Sequence, residues 1–170
     1  MALPIDFITR TRALLGDEYE KLEAALQADV PVSIRINPKK GTKAPETSRV
    51  AWSETGYYLP ERLSFTFDPL FHAGAYYVQE ASSMFLEQAI RTFVSEPVKC
   101  LDLCAAPGGK STHLLSILPE GSLLVSNEVI RSRSNILAEN ITKWGNPNNI
   151  VTNNDPEEIG RLTHLFDVIV

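Results

Sequence analysis

Residues 100–115, CLDLCAAPGGKSTHLL, set a glycine pair directly before Lys110, Ser111 and Thr112, the residue types that hold a phosphate. A phosphate loop needs the pattern GxxxxGK[ST], in which the first glycine permits the turn and backbone N–H groups face the anion. Here Cys104 occupies the first position, and Pro107 removes a backbone donor from the loop. The match fails where the anion-binding geometry is made. A nucleoside held without a triphosphate is the alternative. Glu128 lies 20 residues beyond Gly108, the usual interval from a glycine turn to an acid that accepts hydrogen bonds from ribose hydroxyls. Asp155 follows at the end of the next strand, suitably placed for the amine of an adenine. Either acid alone reads equally as a strand-end cap. Polar groups on three successive strand ends favour an adenosine-containing cofactor.

Those strand ends come from the pattern after Pro97. VKCLDLC, SLLVSNE, NIVTNND and FDVIV read as strands; GGKSTHLLSIL, RSRSNILAENITKW and PEEIGRLT read as the helices between them. Alternation at this spacing predicts a mostly parallel sheet, with the ligand crevice outside the carboxyl ends of its strands. Ahead of it, QEASSMFLEQAIRTFV (79–94) predicts one amphipathic helix facing inward through Met84, Phe85, Ala89, Ile90 and Phe93. At its start, Gln79 and Glu80 read as caps or as pocket groups, and Ser82 and Ser83 as candidates to face the pocket. Residues 4–28 predict two short helices separated at Gly16.

VPVSIRINP predicts a half-buried strand, Val32, Ile34 and Ile36 inward and Ser33, Arg35 and Asn37 outward as a working surface. Residues 38–70 are rich in Pro, Gly, Thr and Ser and read as loop. Between 35 and 49, five basic residues (Arg35, Lys39, Lys40, Lys43 and Arg49) face one acid, Glu46, in a chain of net charge -5. That local excess of cations reads either as a solvated loop or as an arm for the phosphates of RNA. Trp52, Tyr57 and Tyr58 beside it suit base stacking or, preferentially, core packing.

With 170 residues and 44% hydrophobic content, the chain can bury the core of one ordinary domain. Its two cysteines, Cys100 and Cys104, form neither a disulfide framework nor a zinc pattern, and His72, His113 and His164 lack partners at metal spacing. No metal site, no membrane segment and a cytoplasmic setting are expected.

CLDLCAAPGGKSTHLL followed by SNEVIRSRSNILAENITKWG resembles the cofactor half of the RNA cytosine-5 methyltransferases of the NOL1/NOP2/Sun group, which includes RsmF-like proteins. AGAYYVQEASSMF (73–85) and SIRINPKK resemble that family's preceding segment and RNA-handling element, so the resemblance covers residues 30–170. It implies an α/β chain: the first half of a Rossmann-like class I methyltransferase domain (73–170) behind a small α+β RNA-binding region (1–72). It further implies S-adenosylmethionine as cofactor, RNA, ribosomal RNA foremost, as partner, and a full-length monomer. The loop Cys104, Ala105, Ala106, Pro107, Gly108, Gly109 and Lys110 would wrap the methionine and ribose. Glu128 would hold the ribose, Arg133 would line the pocket, Asp155 would meet the adenine, and Arg35, Lys39 and Lys40 would contact RNA. The family's reaction needs a nucleophilic cysteine, which the resemblance puts in a Pro-Cys-Ser segment beyond Val170. The chain is thus expected to be an inactive fragment truncated in its fourth strand, with no catalytic residue of its own. A P-loop-like NTPase and a non-catalytic RNA-binding module are the rival readings.

Overall fold

A computed structural model describes residues 3–170. The chain gathers into two compact units, Met1–Pro31 and Val32–Val170. In the first, helices α1 (Ile5–Leu15) and α2 (Tyr19–Gln27) meet through a single 3-10 turn at Gly16–Glu18. These are the two helices expected. Arg12 links them, its guanidinium 4.5 Å over the Tyr19 ring and 3.0 Å from Glu20.

The second unit holds two sheets. In the smaller, β1 (Val32–Ile36) is the central strand, antiparallel to β2 (Gly56–Leu59) on one side and β3 (Tyr76–Val78) on the other. The strand at 32–36 was expected; β2, inside a stretch read as loop, was not. The compact units do not divide after residue 72, because β3 lies beyond that point and completes this sheet. Ile34 packs with Tyr57, Phe65 and Tyr76, so one face of β1 is apolar core.

The opposite face corrects an expectation. Ser33, Arg35 and Asn37 are buried, so β1 is covered on both faces and its polar side is no working surface. Each group finds a partner, as burial demands. The Ser33 hydroxyl donates to the Gln79 carbonyl at 2.6 Å, and the Asn37 amide donates to the carbonyls of Gly74 and Trp144. Gly74 has φ +68°, and a Cβ there would collide with the Lys143 carbonyl, so glycine is required for this approach.

The parallel sheet has strand order β6-β5-β4-β7. It is built from β4 (Lys99–Asp102), β5 (Leu123–Asn127), β6 (Asn149–Thr152) and β7 (Val168–Ile169). After α3 (Pro69–His72) and α4 (Leu86–Phe93), helices α5 (Gly109–Ile117) and α6 (Arg131–Trp144) cover it, packing Leu114, Leu115, Leu137, Ile141 and Trp144 with Cys100 and Leu124. A one-turn helix at Pro156–Ile159 precedes β7. This is the α/β, Rossmann-like architecture expected from the alternation, with an α+β part ahead of it. Among the described residues no helix is long and apolar enough to cross a membrane.

The helix expected over 79–94 is shorter and faces differently. A 3-10 turn at Ser82–Phe85 leads into an α-helix at Leu86–Phe93. Its buried stripe is Met84, Glu87 and Ile90, while Phe85 and Phe93 are exposed. A carboxylate sits mid-stripe because four donors reach it: the Ser53 hydroxyl, the Glu54 N–H, the Arg91 guanidinium and His113 Nε2 at 3.0 Å. Burial alone would raise the Glu87 carboxyl, but these hydrogen bonds outweigh it and hold it at about 2. Burial lowers the His113 pKa against the pull of Glu87, so the folded state favours neutral imidazole.

A pH prediction follows from the signs. Stability from a base whose folded pKa is depressed is present above its unfolded value, 6.5, and is lost as pH falls below it. Glu87 adds a second loss between its ordinary 4.5 and about 2. Melting temperature should therefore decline between pH 6.5 and 5, and His113→Gln should flatten that segment. An equally steep decline in the variant would assign the loss to other groups.

Candidate cofactor-binding site

The loop 104–109 runs from the carboxyl end of β4 into the first turn of α5, with Gly108 at φ +113°. Two of its N–H groups are engaged within the protein. The Ala105 N–H bonds the Asn127 carbonyl, and the Gly108 N–H bonds the Ala105 carbonyl, each at 2.8 Å. The loop's carbonyls are held from α6: Arg133 Nη2 donates to Ala106 O and Asn140 Nδ2 to Pro107 O, both at 2.7 Å. Two of the turn's N–H groups are thereby withdrawn from any anion, and Pro107 has none to offer. Lys110 is turned inward, its Nζ 3.2 Å from Asp102 Oδ1.

Asp102 is a functional candidate the sequence reading did not single out. It ends β4, is fully buried, and accepts a 2.7 Å hydrogen bond from Ser111. Burial raises its carboxyl pKa and Glu128 pushes the same way, while Ser111 and Lys110 oppose both. The available signal was an acid inside the otherwise apolar run CLDLC. Asn127, also fully buried, was missed as well; it ties the β5 end to the next loop through Leu103 O, Thr152 Oγ1 and the Asn154 N–H.

Glu128 stands directly after β5 with its side chain buried. Its Oε1 accepts the Ile130 N–H at 3.0 Å, and Oε2 lies 3.6 Å from Arg133 Nη1. Arg133 thus bridges the loop and Glu128, half exposed. Asp155 is exposed and caps the helix at Pro156–Ile159, accepting the Glu157 N–H through Oδ1 at 2.9 Å.

A cleft of about 250 Å³ opens beside the loop. Cys104, Ala105, Ala106, Pro107, Gly109 and Lys110 line one side, and Tyr77, Val78, Gln79, Glu80 and Ser83 the other. The two motifs YYVQEASS and CAAPGGK therefore face each other. Gln79 is no helix cap: its Oε1 accepts Arg35 Nε at 2.8 Å.

Arg35 is the clearest correction among the expected RNA contacts. It is fully buried behind the loop, and Nη2 donates to Thr112 Oγ1 at 2.6 Å and lies 3.4 Å from the Gly109 carbonyl. Its guanidinium stacks 4.5 Å from the Trp144 ring. Burial without a salt-bridged carboxylate lowers its pKa to about 9, so it stays charged at neutral pH. It cannot reach an RNA phosphate. Lys39 and Lys40 are exposed, and Lys39 lines a cleft with Gly121, Ser122 and Asn148 at the amino ends of β5 and β6. That is the opposite edge of the sheet from the loop. Trp52 donates through Nε1 to Ala81 O at 2.7 Å and packs with Tyr58 against Val50, Ala81 and Met84, so packing accounts for them. Among the described residues no three His, Cys, Asp or Glu side chains could hold a metal ion.

Two family models match: the N-terminal domain of 16S rRNA methyltransferase RsmF over residues 3–81, and 16S rRNA methyltransferase RsmB/F over residues 94–170. The chain belongs to the RsmF-type methyltransferase family. A relative from Aeromonas salmonicida, ribosomal RNA small subunit methyltransferase F, is 37% identical over 190 residues, covering 99% of this chain and 39% of its own length. The protein of the same description from Vibrio cholerae is 31% identical over 188 residues, covering 100% and 39%. The chain thus spans about two fifths of the length of these curated relatives. A solved methyltransferase homolog from Pyrococcus horikoshii superposes with a TM-score of 0.78 at 27% identity, covering 99% of this chain and 58% of that one. The models meet the chain on both sides of the cleft: one reaches past Gln79 and Glu80, the other contains the whole 104–110 loop.

Proposed function

We propose that the chain is the cofactor-holding part of an S-adenosylmethionine-dependent methyltransferase that forms 5-methylcytosine in ribosomal RNA in the cytoplasm. The observation that carries this reading is the carboxylate pair Asp102 and Glu128 at the ends of adjacent strands, set beside a loop whose only cation is already engaged by Asp102. A triphosphate would face the buried charge of two acids and no free lysine. A neutral ribose with a sulfonium cation finds carboxylates and loop carbonyls instead. This sulfonium supplies an electrophilic methyl group when bound.

The chain's own residues bind and orient. Glu128 accepts the ribose hydroxyls, Arg133 and Asn140 hold the loop's carbonyls in place, and Asp155 Oδ2 is available to an adenine amine. The 73–170 segment holds the cofactor and the 1–72 segment contributes to RNA handling, where Lys39 and Lys40 are free to meet the phosphates of an extended strand. Addition of a thiolate to the base is required before carbon 5 can accept a methyl group. Cys100 does not supply it, because burial pushes its thiol up to about 12. Cys104 belongs to the cofactor loop. We therefore propose that this chain alone binds cofactor without turnover.

Calorimetric titration with S-adenosylmethionine, and separately with ATP and magnesium, tests the reading. Saturable binding of the first and none of the second is expected. Binding of ATP alone would overturn it, and tritiated methyl incorporation into RNA would overturn the claim of inactivity.

A further inference from the structure

Three adjoining cavities form one groove on the second unit. The first, about 350 Å³, follows the segment 62–67. The second, about 290 Å³, lies between Phe71 and Tyr77 on one side and Asn140 and Lys143 of α6 on the other. The third is the cleft beside the 104–110 loop. Neighbours share walls: Arg62, Phe65 and Thr66 line the first and second, and Tyr77 and Val78 line the second and third. The three cavities therefore succeed one another toward the 104–110 loop.

Its lining has two chemical characters. Aromatic rings recur along it, and Phe67 at the outer end is 86% exposed, a large apolar surface with nothing packed on it. Arg62 is exposed and has no ion-pair partner among the described residues. Lys143 lies 5.9 Å from the Phe71 ring and shares its charge with Glu139 at the margin. Rings that accept a flat face, beside a guanidinium free to meet a phosphate, are the combination that holds an unpaired nucleic-acid strand. The basic loop at 39–40 has the charge but lies at the other edge of the sheet.

We propose that this groove takes an unpaired RNA strand, with one base in the pocket that Phe71 and Tyr77 line against α6, Arg62 on its phosphate, and the strand directed into the cleft beside the 104–110 loop. The inference rests on the methyltransferase reading above and adds the surface that the RNA occupies. It puts the strand on the side where the loop presents the cofactor, which Lys39 and Lys40 do not.

The test is fluorescence anisotropy with a labelled oligo-uridine of about twelve nucleotides, long enough for a groove of this kind. Arg62→Glu should weaken binding about tenfold or more and reduce the slope of log affinity against log salt by about one. Phe67→Ala should weaken it about fivefold or more, with the salt slope unchanged. Both side chains are exposed, so melting temperature should stay at the wild-type value. Lys39→Glu/Lys40→Glu is the comparison: if it abolishes binding while Arg62→Glu and Phe67→Ala leave it intact, the groove is wrong and the RNA reading stands. If the wild-type chain binds S-adenosylmethionine and no RNA, the groove and the RNA substrate fall together. A dimer in sedimentation that Phe67→Ala dissociates, with RNA affinity unaltered, would make the groove a contact between copies and overturn the proposal.

Discussion

Glu128→Ala should weaken S-adenosylmethionine binding at least about a hundredfold by calorimetry, the largest effect expected of any single substitution here. Two ribose hydroxyls bonded to one carboxylate are charge-assisted hydrogen bonds worth about 1.5–3 kcal/mol each, and 1.4 kcal/mol is a factor of ten. The carboxylate is buried after β5 and kept in place by the Ile130 N–H and Arg133, so little reorganisation is needed to receive the sugar. Those same contacts give Glu128 a structural role, which Glu128→Gln separates. The amide keeps an acceptor for the Ile130 N–H and loses the charge, so it should fold as the wild type and bind with intermediate affinity. Unchanged affinity in the folded Glu128→Ala protein would mean that the sugar sits elsewhere.

Arg35→Ala should lower the melting temperature by about 6–20 °C. Truncating a large, fully buried side chain leaves a void, and the Gln79 Oε1 and Thr112 Oγ1 partners lose their donor. Together these cost about 3–5 kcal/mol, and each kcal/mol moves the melting point of a domain this size by about 2–4 °C. Arg35→Met should recover part of the loss, since it refills the volume and removes a buried cation that lacks a carboxylate partner. Cofactor affinity should fall in parallel, because Arg35 reaches the first turn of α5 through Thr112 and Gly109. A variant that melts within a degree or two of the wild type yet loses RNA affinity would restore Arg35 to the RNA-contacting face.

The part of the site made by neighbours in the chain was legible in the sequence. The glycine pair after a short apolar strand, the acid 20 residues on, and the alternation of strand and helix after Pro97 are local signals, set by backbone conformation and side-chain period. They were sufficient for the class of fold and for the positions of the loop after β4 and of Glu128 after β5. Asp155 was expected to end the third strand, but β6 stops at Thr152 and Asp155 caps the helix that follows.

The tertiary structure decided which polar groups meet water. Alternation along VSIRIN states that the two faces of β1 differ, and carries no information about what covers the polar one. The partners of that face lie far along the chain: Gln79 is 44 residues from Arg35, and Trp144 is 107 residues from Asn37. The same holds for Glu87, a charged residue on a buried stripe because four donors from two other segments and its own helix converge on it. A buried polar side chain is tolerated only where its hydrogen bonds are met. Short-range periodicity therefore determined the elements and the loop, while the placement of Arg35 inside and of the 62–78 groove outside depended on contacts between distant segments.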